Sequence, residues 1–440
     1  MLNGIRNPFR RGAPRTLVAM KSLSLTSSAL PLLVVLFWLR AVPAQAVATS
    51  TVEGTPAELK YYDHEEMTAF LKKISTNYPN FTHLYSIGKS VEGRDLWVLL
   101  VTKNPHEEPL LKPNVKYVAN IHGDEVLGRQ FMVYLISHLL TRYDVDPYVR
   151  NLLDDTRIHI MPSANPDGFA MSKEGICMGI QGRQNARGVD LNRNFPTRFN
   201  TQMEEEQPET EALRRWSKQI PFVLASNFHG GALVVNYPYD YPRVFDDESQ
   251  RNEPSLTPDD DVFKHLASVY SFNHANMHLG QGCSKDGTVA YPNGTVNGAT
   301  WYAFSGGMAD YNYMWDGCMD VTVEMACCKY PPRSELALYW EENKPALLAY
   351  LDEVHRGVRG IVKDENGTPV ANATLKISNR RVGFKTSSRG EYWRILRPGQ
   401  YTLEVSATGF HKAEVGFSVP EERFTVLNVT LKSEGHEKSD

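Results

Sequence analysis

Apolar residues recur on one helical face after Asp63: Met67, Phe70, Leu71 and Ile74 keep the spacing of a buried stripe, and Asp63 stands where a capping carboxylate belongs. Val115 to Ile121 is a continuous apolar, β-branched run that predicts a buried strand, and Phe131 to Leu140 then predicts a buried helix. Arg157 to Met161, Pro221 to Phe228 and Val321 to Met325 are further strand candidates, and Ser334 to Arg356, rich in Leu, Ala and Glu, predicts a closing helix. Strands separated by helices imply an α/β layered domain, with a largely parallel or mixed twisted sheet flanked by helices. Beyond Arg356 the helical period vanishes. Short alternating runs, Gly357 to Val362, Ala373 to Ser378, Gln400 to Val405 and Thr425 to Leu431, are punctuated by turns at Asn366-Gly367, Arg389-Gly390, Pro398-Gly399 and Thr408-Gly409. That pattern predicts a small all-β sandwich. The boundaries expected are a catalytic-size domain over 47–356, a sandwich over 357–432 and a polar tail over 433–440.

The first 46 residues differ from the rest. Arg6, Arg10, Arg11, Arg15 and Lys21 precede an uncharged stretch from Ser22 to Leu39, and Ala44-Gln45-Ala46 follows, the shape of a signal peptide cleaved after Ala46. An uncleaved membrane anchor is the alternative, because the run is nearly long enough to span a bilayer; Pro31 and the cleavage pattern oppose it. Removing the segment takes away six basic residues and moves the formal charge from −4 to −10, which argues against a nucleic-acid partner. Sequons beginning at Asn80, Asn293, Asn366, Asn372 and Asn428 agree with a secreted, extracellular glycoprotein. The polar end from Lys432 to Asp440 has no apolar tail for a lipid anchor, so no stable membrane attachment is expected of the mature chain. Cys177, Cys283, Cys318, Cys327 and Cys328 suggest two disulfides and one unpaired thiol in an oxidising compartment, with the connectivity open. No C-x-x-C pair supports a cysteine metal site.

The candidate chemistry begins at the end of the first buried strand. There His122-Gly123-Asp124-Glu125 sets an imidazole and a carboxylate three residues apart on a turn, and His229, followed by Gly230-Gly231, ends another apolar strand. With 13 histidines in the chain the H-x-x-E pair alone is weak evidence. Two histidines and one carboxylate are nevertheless the ligand set of a catalytic zinc, which keeps a fourth position open for water.

These residues carry a family resemblance. Asn120-Ile121-His122-Gly123-Asp124-Glu125, Asn165-Pro166-Asp167-Gly168, Asp190-Leu191-Asn192-Arg193-Asn194-Phe195-Pro196, Asn227-Phe228-His229-Gly230-Gly231 and the block from Asn297 through Pro331 occur in the order found in the zinc metallocarboxypeptidases. The chain resembles their regulatory (N/E) branch, which contains carboxypeptidases M, N, D and E. The block Glu324-Met325-Ala326-Cys327-Cys328-Lys329-Tyr330-Pro331 looks most like carboxypeptidase M and its relatives, and the β domain resembles their transthyretin-like sandwich. The resemblance implies His122, Glu125 and His229 as ligands of one Zn2+, Glu324 as general base, Arg183 facing the developing oxyanion, and Asn192, Arg193 and Tyr302 gripping the substrate's terminal carboxylate. Asp240 matches the acidic residue at the base of the pocket for the terminal side chain, so the expected activity is a metallocarboxypeptidase releasing C-terminal Lys or Arg from peptides and proteins. The enzyme is expected to act as a monomer. It also implies Cys177–Cys328 and Cys283–Cys327 disulfides with Cys318 unpaired. Two departures bear on subsite preference: Ala232 stands where relatives commonly have Ser, and Ala309 where they commonly have Gln. The rivals are a secreted peptide-binding protein that keeps the fold without catalysis, and a zinc amidohydrolase acting on small acylated amino acids.

Overall fold

The computed structural model describes residues 57–197, 205–242, 253–283 and 291–434; the segment over 1–46 that the sequence reads as a signal peptide and the tail from residue 435 lie outside them. Helix α1 (His64–Asn77) starts as the periodicity predicts, with Asp63 and Glu66 forming a reciprocal capping box and Met67, Leu71 and Ile74 buried beneath it. Strands β1 (Thr82–Lys89) and β2 (Asp95–Val101) form a hairpin, and β3 (Asn114–Ala119) leads into α2 (Leu127–Arg142). Then come α3 (Pro147–Asp155), β4 (Arg157–Met161), α4 (Pro166–Met171), α5 (Pro208–Gln219), β5 (Phe222–His229), β6 (Ala232–Tyr237), α6 (Asp260–Asn273), β7 (Thr295–Asn297), α7 (Gly298–Trp301), α8 (Met308–Asp316), β8 (Met319–Ala326) and α9 (Leu336–Asp352).

The strands make one mixed sheet in the order β1-β2-β4-β3-β5-β8-β6-β7. Its centre, β4-β3-β5-β8, is parallel, and β3, β5 and β8 are buried at every position because helices cover both faces. Side chains from α1, α2, α3, α6 and α9 form the core on one face. Trp216 and Leu213 of α5 and Met308 and Tyr311 of α8 cover the other.

Strand β3 stops at Ala119, two residues before the predicted end, because Asn120 takes a left-handed conformation with φ of 59°. The strand predicted over Pro221–Phe228 lies one residue later, at Phe222–His229, so that His229 is its last residue. The closing helix is shorter than predicted, with single 3-10 turns at Arg333–Glu335 and Glu353–His355 on either side of α9.

The sandwich follows directly: β9 (Gly357–Asp364), β10 (Thr374–Ile377), β11 (Phe384–Lys385), β12 (Glu391–Arg394), β13 (Gly399–Ser406), β14 (Ala413–Val419), β15 (Phe424–Val426) and β16 (Val429–Leu431). One sheet runs β11-β10-β13-β14, the other β12-β9-β15 with β16 also on β9, and Val358, Leu375, Tyr392, Leu403 and Leu431 fill the space between. The sandwich is hydrogen-bonded to the first domain: Leu111 N donates to Glu391 Oε1 at 2.6 Å, and Arg389 Nη1 donates to the carbonyl of Glu108 at 2.6 Å. Cys177–Cys328 and Cys283–Cys327 form the two disulfides, and Cys318 is buried as a thiol, as the resemblance implied.

Candidate active site

The carboxyl ends of three adjacent parallel strands, β3, β5 and β8, open at one point of the sheet. Crevices outside such strand ends are where open α/β sheets present ligand-binding groups. His229 ends β5 and lies in register with Glu324 on β8, while the chain leaving β3 turns at once into His122 and Glu125. Asn120 makes that turn: its Nδ2 donates to the carbonyls of His122 at 2.9 Å, Gly123 at 3.0 Å and Glu125 at 3.2 Å. Gly123 is required by close approach, since a Cβ there would lie 2.2 Å from the backbone of Gly168 and of Phe169.

His122, Glu125 and His229 converge and are all buried. Glu125 Oε2 lies 3.0 Å from His122 Nδ1 and 2.8 Å from His229 Nδ1, and the two imidazole nitrogens are 3.1 Å apart. Asp190 can only accept while ionised, so its contact at 3.0 Å fixes the proton of His122 on Nε2 and turns the Nδ1 lone pair inward. Glu125 Oε1 is held by Arg183 Nη1 at 3.2 Å and Lys329 Nζ at 3.3 Å, which leaves Oε2 alone facing the histidines.

Three lone-pair donors packed this closely need a shared cation. Tetrahedral zinc at about 2.0–2.1 Å from its ligands sets them roughly 3.3 Å apart, so the observed trio fits that ion. Burial alone would lower His122, but Glu125 and Asp190 hold it above the usual histidine range; burial takes His229 down to about 4; and Glu125, although buried, is held well below the usual carboxylate range by the two histidines.

Glu324 is 7% exposed, and its Oε2 has no hydrogen-bond partner among the described residues. Burial first, then the nearby charge of Glu125, pushes its carboxyl well above the usual range. A buried, unpartnered carboxyl is expensive, and strongly shifted acids concentrate at working sites. Arg183 reaches the site from a loop and is braced by Asp190 Oδ2, 2.9 Å from Nη2.

The remaining candidates lie near one another: the charge of Arg193 reaches Asp240, and Tyr302 feels the charges of Arg193, Glu324 and Arg183. Arg193 lies 3.6 Å over the ring of Phe304 and 5.9 Å from that of Tyr302, and it has no ion-pair partner among the described residues. Asn192 Oδ1 accepts from Met308 N at 2.9 Å. Tyr302 is 42% exposed, so it faces the opening and does not belong to the core. Asp240 is buried; its Oδ1 accepts from Asn236 Nδ2 at 2.8 Å, and its backbone N–H donates to Asp310 Oδ1 at 3.0 Å. A Cβ on Gly298 would stand 2.0 Å from Asp240 Oδ1, and one on Gly307 would stand 3.0 Å from Oδ2, so two glycines leave room for this carboxylate. Ala309 is buried beside Asp310 on α8, and Ala232 pairs with Ala326 at the start of β6.

Sequence reasoning missed Asp190, Lys329, Asn120 and Asp310. Asp190 and Lys329 sit inside motifs already singled out, one beside Asn192 and the other beside Cys328, but only the fold shows that they brace His122 and Glu125.

Comparison with known proteins agrees with this arrangement. The profile of the zinc carboxypeptidase family matches residues 67–346, and that of the carboxypeptidase regulatory-like domain matches residues 357–432. Carboxypeptidase M of Mus musculus is 44% identical over 365 residues, 82% of each chain. The carboxypeptidase N catalytic chain of Homo sapiens is 38% identical over 407 residues, 86% of this chain and 87% of that one. Carboxypeptidase D of Mus musculus is 42% identical over 378 residues, which are 86% of this chain but 27% of that protein. Among solved structures, thrombin activatable fibrinolysis inhibitor superposes with a TM-score of 0.53 at 21% identity, covering 67% of this chain and 75% of that one, and so shares the fold. With buried histidines and a carboxylate converging at two neighbouring strand ends, and a family match over most of its length, the chain belongs to the zinc carboxypeptidases.

Proposed function

We propose that this chain is a secreted zinc exopeptidase that releases C-terminal Lys or Arg from peptides and proteins, with His122, Glu125 and His229 holding the metal. The observation that carries the reading is Glu324, a buried carboxyl whose Oε2 has no hydrogen-bond partner among the described residues, in register with His229. When bound, zinc polarises the scissile carbonyl and acidifies a water molecule. Arg193, Asn192 and Tyr302 grip the substrate's terminal carboxylate; the guanidinium of Arg193 pairs with no carboxylate among the described residues and offers a fork that matches one. Asp240 receives the basic side chain, and an apolar terminal residue would leave that buried carboxylate unpaired. Arg183 presents fixed positive charge where the carbonyl oxygen gains negative charge. Glu324 takes a proton from the attacking water and delivers it to the leaving amine as the peptide bond breaks.

We read the enzyme as acting as a monomer. We divide it into a catalytic domain over 47–356 and a sandwich over 357–432. Two disulfides and exposed sequon asparagines at 80, 293, 366, 372 and 428 support secretion, and no helix among the described residues is long and apolar enough to cross a membrane.

The test uses the purified chain and peptides ending in Arg, Lys, Leu or Glu, with and without a chelator. Release of Arg and Lys that stops with chelator and returns with zinc is the expected outcome. Glu324→Gln is expected to lose roughly 100-fold or more of kcat while keeping stoichiometric zinc. No release of any residue from the wild-type chain would leave a peptide-binding protein as the reading, and an active Glu324→Gln would remove that residue from its role.

A further inference from the structure

The sandwich reaches the specificity pocket through a buried arginine. Arg394, at the end of β12, has a side chain that is 1% exposed. Its Nη1 donates to the carbonyl of Gly317 at 2.9 Å, at the left-handed cap that ends α8, and its Nη2 pairs with Asp259 Oδ2. Asp259 is fully buried just before α6, and it also accepts from Tyr313 Oη of α8 at 2.6 Å and from Arg380 Nη1 of the sandwich at 2.6 Å. Although burial raises its carboxyl, Arg394 and Arg380 hold it below the usual range, so it is an anion bridging the two domains.

The opposite end of α8 builds the pocket. Met308 N donates to Asn192 Oδ1 at 2.9 Å, and the two oxygens of Asp310 accept from Asp240 N and Tyr241 N, each at 3.0 Å. Asp310 and Tyr313 are one helical turn apart, so a shift of α8 at the sandwich moves the backbone that aims Asp240. The loop before Asp259 makes a second connection: Tyr239 N donates to the carbonyl of Ser255 at 2.9 Å, one residue ahead of Asp240.

We infer that Arg394 is a positioning residue for the specificity pocket, and that through Asp259 and α8 the sandwich sets how Asp240 and Asn192 meet the terminal residue of the substrate. This rests on the reading of Asp240 given above. Burying an arginine is costly, and here both terminal nitrogens of Arg394 are used to clamp the far end of the helix whose first turn holds Asn192 and the backbone of Asp240.

The experiment compares full-length wild type with Arg394→Gln, Tyr313→Phe and Arg389→Gln on peptides ending in Arg and in Leu, with zinc content measured for each. Arg389 is an interface control, since it touches Glu108 and Glu391 and nothing on α8. Arg394→Gln is expected to raise KM for the Arg peptide roughly 3- to 30-fold, the usual range for coupling through packed elements, and to lower the preference for Arg over Leu by the same factor. Zinc content and kcat remain as in wild type. Tyr313→Phe, which loses only a hydroxyl, is expected to show a smaller change of the same kind and decides the matter if Arg394→Gln does not fold. Arg389→Gln is expected to lower thermal stability without altering KM. Unchanged KM and selectivity in the folded α8-linked variants, or the same shift in Arg389→Gln, would overturn the inference. A wild-type enzyme without preference for Arg defeats the Asp240 reading itself, an outcome visible before any variant is compared.

Discussion

Asp240 shows how one residue's surroundings set both cost and use. Burial pushes its carboxyl up to about 6, despite the hydrogen bond from Asn236 and the nearby charge of Arg193. Because the folded value lies above the unfolded one of about 3.9, its ionisation opposes folding: the stability it contributes is complete below pH 4 or so and is lost as pH rises through about 6. Capture of a cationic side chain has the opposite dependence, since only the ionised carboxylate attracts it. The kcat/KM for an Arg-terminal peptide should therefore fall as pH drops through about 6, with a steeper profile than for a Leu-terminal peptide, and Asp240→Asn should remove the difference between the two profiles. Parallel profiles in the wild type would show that this carboxylate does not read the terminal side chain. The charge of Asp240 was legible in the sequence; that two glycines and an asparagine enclose it was not, because Gly298, Gly307 and Asn236 come from three separate segments.

At the scale of elements, the site is a property of strand ends. Apolar runs predicted β3, β5 and β8 because a parallel strand covered on both faces is buried at every position and leaves that mark on composition. The hairpin β1–β2 and the short strands β6 and β7 escaped prediction. Strand β1 is mostly half-buried or exposed and β7 has three residues, so neither leaves a clear mark; β2 and β6 are apolar runs of the same kind as β3 that went unread. Nor was the exact end of β3 visible, since it depends on Asn120 adopting φ of 59°, which pays off only when its side chain meets three carbonyls of the following turn. Asn120→Ala should cost about 3–5 kcal/mol in urea unfolding, from a left-handed alanine and lost buried hydrogen bonds. It should also weaken zinc binding roughly 10- to 100-fold against a competing chelator. Asn120→Gly relieves the backbone strain alone, so it should regain part of the stability and little of the zinc affinity. Unaltered zinc affinity in both variants would mean that the turn holds its shape without Asn120.

For the whole molecule, cross-links and the domain seam hold together groups that are remote in the chain. The Cys177–Cys328 bridge spans 151 residues and joins the loop leading to Arg183 to the segment carrying Lys329, the two cations that hold Glu125 Oε1. Replacing both cysteines by serine should lower stability by about 2–4 kcal/mol, read from the urea midpoint, and reduce kcat, since both cations lose their shared tether. Full kcat in the folded double variant would show that the loop is held by its backbone contacts alone. Composition and periodicity were enough to specify an α/β layer followed by a β-sandwich, because burial imposes a period on any chain that folds that way. Motif order was enough to name the chemistry, because the metal and its base demand particular side-chain types. The braces around those groups, Asp190 on His122, Lys329 on Glu125 and Arg394 on Asp259, emerged only when the chain was folded. Each is a contact between segments far apart in sequence, and no local pattern records which charge a distant partner will meet.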